Sequence, residues 1–175
     1  MALTSRNAPM LPRRAIAARN PDLLAAAGGG CNAILVRGRF RIAAHRTHVL
    51  TRRPERRVMH GVALDGAGWV VNLHASTHPP VQRRADLLGA AATALRWAEA
   101  GPLVFGGDLN STQPAMPGVT RVGGNHVDHV FVAGGWAAGG AVEVLDAAPL
   151  SDHAPLRVAL SAAGRVAPAG SNGGH

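Results

Sequence analysis

Lysine and tyrosine are absent from the sequence. There is one cysteine, and aromatic residues are few, with three Phe and three Trp. Each absence excludes something. With Cys31 alone, no internal disulfide can form; it sits between a Gly run and a strand start and reads as a small packing residue. No run reaches about 18 consecutive apolar residues, so no membrane span is expected. Arg13, Arg14 and Arg19 stand among alanines near the N-terminus without a continuous apolar stretch, which argues against a secretory signal. A cytoplasmic location is the expectation. With no lysine, all 18 basic residues are arginine, and against 10 acids they give a formal charge of +8. Arginine pairs bidentately with phosphate, so the balance suits a polyanionic partner such as nucleic acid. The same composition, with abundant Ala and Gly, is equally what a GC-rich coding sequence produces.

The 175 residues suffice for one domain with a buried core. Residues 12–26 read as helix, with Pro12 suited to a first turn, Pro21 a break and the Gly28-Gly29-Gly30 run a stop. Strand character follows at Asn32–Val36, Arg41–Leu50, Arg56–Leu64 and Gly68–Leu73, joined by short linkers as in a meander. Leu88, Ala91, Ala92 and Leu95 recur at helical spacing, which predicts an amphipathic helix over 81–100. Leu103–Phe105 predicts a buried strand, 111–125 a Pro/Gly loop, and 127–132, 141–145 and 156–160 further strands. The expected organisation is one domain over 1–160 and a disordered tail over 161–175, rich in Ala, Gly, Pro and Ser. Strand-rich order with two helical segments predicts an α/β sandwich.

Polar residues stand at the ends of the apolar runs. WVVNLHAS delivers Asn72 and His74, PLVFGGDLNST delivers Asp108 and Asn110, NHVDHVFVAG delivers Asp128, and LSDHAPLRVAL delivers Asp152 and His153. Hydrolysis of a phosphate ester needs such groups: neutralisation of phosphoryl charge, an activated water, orientation, and help for the leaving group. Asp108 can orient or deprotonate water. Asn110 can donate to a phosphate oxygen without repelling it. The Gly106-Gly107 pair before them allows a sharp turn and close approach to a ligand. GGDLN on its own is also an Asx-turn signal. A histidine at a rim, His153, can protonate a leaving group, and Asp152 can bind a divalent metal. Asp128 can hold the His153 ring by a carboxylate–imidazole bond, and His74 can donate to phosphate. The loop Ser111–Asn125 has no aromatic residue, so it offers no base-stacking platform.

In these motifs the chain resembles the endonuclease/exonuclease/phosphatase superfamily, of deoxyribonuclease-I-like fold. The N-x-H strand end (Asn72, His74), the G-D-x-N turn (Gly107, Asp108, Asn110), the D-H-V-F strand (Asp128, His129, Val130, Phe131) and S-D-H-x-P (Ser151, Asp152, His153, Pro155) occur in family order. GCNAILVR, from Gly30 to Arg37, is similar to the family's third-strand region, and the resemblance covers roughly 28–160. It implies a four-layer α/β/β/α sandwich and attack of water on a phosphoester assisted by Mg²⁺, with Mn²⁺ as the other ion. By resemblance Asp108 orients or activates the water. Asn110 and His74 contact the phosphate. His153, paired with Asp128, stabilises the pentavalent charge, and Asp152 helps hold the metal.

One part of the family pattern has no counterpart. The family opens with a strand carrying Asn and a second strand ending in Gln-Glu, whose Glu is the main Mg²⁺ ligand. The only glutamates here are Glu55, Glu99 and Glu143, and none follows an apolar strand near the N-terminus. The resemblance therefore implies a domain lacking its first strands, from a late start or a remnant gene, with impaired hydrolysis and exposed sheet edges. Two alternatives stand beside it. One is a non-catalytic, polyanion-binding remnant. The other is a calcineurin-like metallophosphatase, whose G-D and G-N-H signatures Gly107-Asp108 and Gly124-Asn125-His126 imitate.

Overall fold

The structure is a computed structural model, and it describes residues 2–5, 31–53, 56–146 and 151–162. Its centre is a six-stranded mixed sheet. We number the strands in chain order: β1 Ala2–Ser5, β2 Cys31–Ile34, β3 Ile42–Thr51, β4 Arg57–Leu64, β5 Gly68–His74, β6 Leu103–Asp108, β7 Thr120–Asn125, β8 Asp128–Ala133, β9 Trp136–Ala138, β10 Glu143–Val144, β11 Leu156–Arg157 and β12 Leu160–Ala162. The single described helix, α1, spans Pro80–Ala98. The sheet order is β3-β4-β5-β6-β8-β7. β3, β4 and β5 form the expected meander, and α1 crosses over from β5 to the parallel β6. Parallel neighbours need such a crossover.

Helix α1 forms where the apolar spacing predicts. Pro80 occupies the start of its first turn, where a missing N–H costs nothing. The helix ends as Glu99 turns left-handed at φ 48° and gives its N–H to the Leu95 carbonyl. Leu87, Ala90, Ala91, Ala94 and Ala98 face inward and meet Met59, Trp69, Val71, Leu73, Leu103, Phe105 and Phe131 of the sheet. Small alanines let helix and sheet approach closely, so Leu103 and Phe105 are fully buried. Each such side chain contributes about 1.5–3 kcal/mol. On the opposite face a second cluster joins Ile34 of β2 to Val62, with Ile42, Leu64 and Val70 packed against it. Antiparallel β1 and β2 thus lie over that face.

Several elements differ from expectation. The strand Ala2–Ser5 was not expected; it pairs with β2 and so supplies a strand upstream of the Gly run. β7 falls inside the expected loop 111–125, and it pairs with β8 through a register shift between Arg121 and Gly123. Its glycines are held by contact rather than propensity. A Cβ on Gly123 would press on Val142 and Val158, and one on Gly124 would overlap the His129 ring. The expected strand 156–160 divides, β11 pairing with β10 and β12 with β9. Ser161 and Ala162, expected in the tail, belong to β12 and pair with Ala137 and Trp136. The rest of that tail and the helix expected at 12–26 lie outside the described residues. No described helix is long and apolar enough to cross a membrane.

Candidate active site

Strand register builds the site. β5 and β6 run parallel with His74 beside Asp108, and β6 and β8 run antiparallel with Asp108 beside Asp128. Side chains alternate across a strand. Leu73, Phe105 and Phe131 face α1, so His74, Asp108 and Asp128 emerge together on the other face. They form one row at one end of the sheet. His153 reaches this row from the segment before β11, with its Nδ1 2.7 Å from Asp128 Oδ2. His74 Nε2 lies 3.4 Å from Asp108 Oδ2. A cavity of about 220 Å³ opens beside Asp128 and His153, walled by Val130, Ala154, Pro155 and Leu156.

The turn after β6 is locked from three sides. Asp108 Oδ1 accepts the Asn110 N–H at 2.9 Å, the Asx turn, and Asn110 is left-handed at φ 50°. Asn110 Nδ2 donates to the Ala75 carbonyl at 2.9 Å, and Ala75 N–H donates to the Asp108 carbonyl. From behind, His129 Nε2 meets the Ser111 carbonyl at 2.8 Å. A carbonyl only accepts, so Nε2 carries the proton. His129 Nδ1 is buried without a hydrogen bond among the described residues. Burial, above all, pushes the His129 pKa down, which keeps the ring neutral. Gly107 has φ 139°, and a Cβ there would stand 1.9 Å from the Leu73 carbonyl oxygen. The Gly107 backbone is therefore pressed closely against strand β5.

His153 is electrostatically set apart. The hydrogen bond to Asp128 raises its pKa most; burial opposes, and the charges of Asp128, Asp108 and Asp152 raise it further. With Nδ1–H given to Asp128, Nε2 faces away from that carboxylate and is available to a substrate oxygen. Asp152 is exposed and makes no hydrogen bond among the described residues. Asn72 is half-buried and gives its amide to the Ala33 carbonyl at 3.2 Å, tying β5 to β2.

The donor set does not fit a firmly held divalent ion. Among the described residues no three His, Cys, Asp or Glu side chains gather to hold one. Asp108 is engaged by Asn110 and His74, and Asp128 by His153. Glu143 pairs with Arg157, and Glu99 stands at the C-terminal end of α1, before β6 begins and so at the end of the sheet away from Asp108. That leaves Asp152 as the carboxylate at the rim without such a bond.

Sequence reasoning missed Asp86. This α1 residue is 1% exposed, and its carboxylate collects three partners. Oδ1 accepts from Thr51 Oγ1 at 2.6 Å and from Gln82 Nε2 at 3.1 Å, and Oδ2 accepts from Ser76 N–H at 3.0 Å. It joins the end of β3 to the loop following His74. The available signal was a carboxylate immediately beside the inward-facing Leu87.

The arrangement is a mixed α/β sandwich carrying acids and imidazoles on one rim. Residues 5–153 match the Endonuclease/Exonuclease/phosphatase family, and the chain belongs to that family, whose members are hydrolases of the phosphoesterase and nuclease type. This displaces the calcineurin-like alternative; Asn125 and His126 instead lie at the β7–β8 hairpin turn. No curated protein matches the chain significantly. Solved structures share its fold. A mannosyl-6-phosphatase from Bacteroides thetaiotaomicron is 16% identical with a TM-score of 0.58, the alignment covering 70% of this chain and 67% of that one. An endonuclease/exonuclease/phosphatase from Bacteroides vulgatus is 14% identical with a TM-score of 0.57, covering 70% and 66%. A humanized D. rerio TDP2 is 12% identical with a TM-score of 0.57, covering 70% and 66%.

Proposed function

We propose that the chain hydrolyses phosphoester bonds at the rim formed by His74, Asp108, Asn110, Asp128 and His153. The observation that carries this reading is the His74–Asp108–Asp128 row, closed by the 2.7 Å bond from His153 to Asp128. In this mechanism Asp128 fixes the His153 ring so that Nε2–H meets a phosphoryl oxygen or the leaving group. The raised pKa keeps a larger share of His153 protonated near neutral pH, as charge stabilisation requires. Asp108 directs the attacking water, with Oδ1 held by Asn110 N–H and Oδ2 beside His74. The αL turn presents Asn110 at the same edge, where its amide also holds Ala75.

Asp152 is the carboxylate we assign to Mg²⁺. Mg²⁺ keeps most of its waters and takes one or two protein carboxylates, so a single exposed Asp supports weak binding at best. Mg²⁺-dependent turnover of this chain is accordingly expected to be weak. The test is hydrolysis of bis(p-nitrophenyl) phosphate and p-nitrophenyl phosphate across a Mg²⁺ and Mn²⁺ titration, with Asp108→Asn and His153→Ala alongside. Loss of a positioned acid or base costs about 100-fold or more. Unchanged turnover in either variant would remove that residue from the mechanism. Saturation at micromolar Mg²⁺ would overturn the account of the metal.

A further inference from the structure

We propose that a second anion subsite lies on the His74 side of the rim, made by Arg52 and Arg53 of the β3–β4 hairpin with Arg83 and Arg84 of α1, and that it takes a second phosphate of the substrate. It rests on the phosphoester reading above and adds to it a substrate class: molecules carrying more than one phosphate.

The placement follows from Asp86. Thr51, the last residue of β3, holds one oxygen of this buried carboxylate, and the backbone N–H of Ser76 holds the other. Ser76 is two residues beyond His74. One carboxylate therefore fixes the root of the hairpin within a few ångströms of the loop that leaves the site. Gln82 of α1 reaches both Thr51 and Asp86, which brings the start of the helix to the same point. Arg52 and Arg53 follow Thr51 directly and are exposed. Arg83 donates from Nη1 to the Thr77 carbonyl at 2.8 Å, over the same loop, and Arg84, next in sequence, is exposed.

The charge in this sector is one-sided. From His74 to Ala98 the only acid is Asp86, whose carboxylate is buried and consumed by its three partners. In the sequence the one acid between β3 and β4 is Glu55, flanked by Arg52, Arg53, Arg56 and Arg57. Each guanidinium offers a planar fork of N–H donors that matches phosphate. The sheet order β3-β4-β5-β6-β8 puts the hairpin on the opposite side of His74 from Asp128 and His153. Adjacent strands lie about 5 Å apart, so the hairpin root stands roughly 5–10 Å to the side of His74, on the α1 side of the same sheet end. The arginines thus serve a neighbouring phosphate and leave the scissile one to the row. A nucleic-acid strand and a small bisphosphate would present the same chemistry.

The experiment compares the whole chain with Arg52→Gln/Arg53→Gln. Three probes are titrated: inorganic phosphate by calorimetry, a fluorescein-labelled deoxythymidine hexamer by anisotropy, and fructose 1,6-bisphosphate against fructose 6-phosphate by calorimetry. In the double variant, inorganic phosphate affinity stays within twofold of wild type. Hexamer affinity, or the preference for bisphosphate over monophosphate, falls at least tenfold. The hexamer's log Kd against log salt flattens by roughly one for each phosphate that arginine no longer neutralises. A loss confined to the hexamer identifies a polymer substrate, and a loss confined to the bisphosphate a small one; either supports the subsite. Hexamer affinity and bisphosphate preference both unchanged would reduce these arginines to solvated surface and overturn the proposal. An equal loss for inorganic phosphate would overturn it too, by merging them with the primary site. Inorganic phosphate binding that survives His153→Ala, with hexamer binding still dependent on Arg52 and Arg53, would sink the reading of the rim while leaving the arginine subsite standing.

Discussion

Acidification isolates the contribution of one buried ring. His60 is fully buried on the β4 face turned away from α1. Its Nδ1 faces His45 Nε2 at 3.4 Å, the rings edge-on at 82°, and its Nε2 makes no hydrogen bond among the described residues. Burial, and then the neighbouring His45, lower its pKa from 6.5 to about 4. The folded state therefore holds His60 neutral where the unfolded chain protonates it. Above pH 6.5 neither state binds the proton and His60 adds no pH dependence. Between 6.5 and 4 the unfolded state binds more protons, so stability falls as pH falls, and below 4 the effect levels off. At about 1.4 kcal/mol per pH unit the full effect is about 3 kcal/mol, most of it expressed by pH 4.5. That is a large share of a typical domain stability of about 5–15 kcal/mol. His129, also lowered, adds in the same direction. His153, raised, contributes stability at low pH that is lost as pH rises through its folded pKa, and its exposure keeps that term small. Urea unfolding at pH 7.0 and 4.5, for wild type and His60→Gln, reads the difference. The variant is expected to lose about 2–3 kcal/mol less than wild type over that interval. Protonating carboxylates contribute equally to both chains and cancel. An identical acid loss in both would show that His60 is solvated or already paired in its charged form.

Two further outcomes follow from the site. Asp128→Asn removes the first cause of the raised His153 pKa, so NMR titration of the His153 ring should move toward the ordinary histidine value; an unmoved titration would mean that the 2.7 Å contact does not govern the ring. Gly107→Ala places a methyl 1.9 Å from the Leu73 carbonyl at a φ of 139°, and thermal or urea unfolding should show a loss of roughly 3 kcal/mol or more; a loss under about 1 kcal/mol would mean that β5 and β6 pair in a different register.

The parts legible in the sequence are those where side-chain pattern and local geometry coincide. α1 shows a 3.6-residue apolar stripe, and β4 to β6 are apolar runs closed by Gly or Pro. The candidate residues His74, Asp108 and Asp128 were legible because each stands at the end of a strand, and His153 joins them from the segment before β11. What escaped depends on partners distant in sequence. β7 contains Gly123 and Gly124, which signal a loop; they belong to a strand because Val142, Val158 and the His129 ring occupy the space their side chains would fill. Asp86 looks like a polar position on a surface helix until Thr51 and Ser76 close over it. β9 is three residues long, too short for any period to show, and the expected strands 141–145 and 156–160 hold β10 and β11 at only two residues each. The strand Ala2–Ser5 has the same weakness, one short run ahead of a stretch that reads as helix.

The D-H pair at the start of β8 shows why the site depends on sheet register. The pleat sends Asp128 to the face that bears His74 and Asp108, where it holds His153, and His129 to the opposite face, where it holds Ser111. One strand thus supplies the partner of His153 and the anchor for the turn that carries Asp108 and Asn110. A one-residue slip of β8 would exchange the two faces, turning the Asp128 carboxylate into the α1 side of the core, pushing Phe131 out of it and leaving the turn without its donor. Burying an unpaired carboxylate costs several kcal/mol, so the slipped pairing is excluded by energy as well as by geometry. The register shift between Arg121 and Gly123 is compatible with this, because it bends β7, the edge strand, and leaves the β6–β8 ladder regular from Leu103 to Asp108. The irregular residues of β7 lie at the edge, and the row of His74, Asp108 and Asp128 runs across the ordered interior of the sheet.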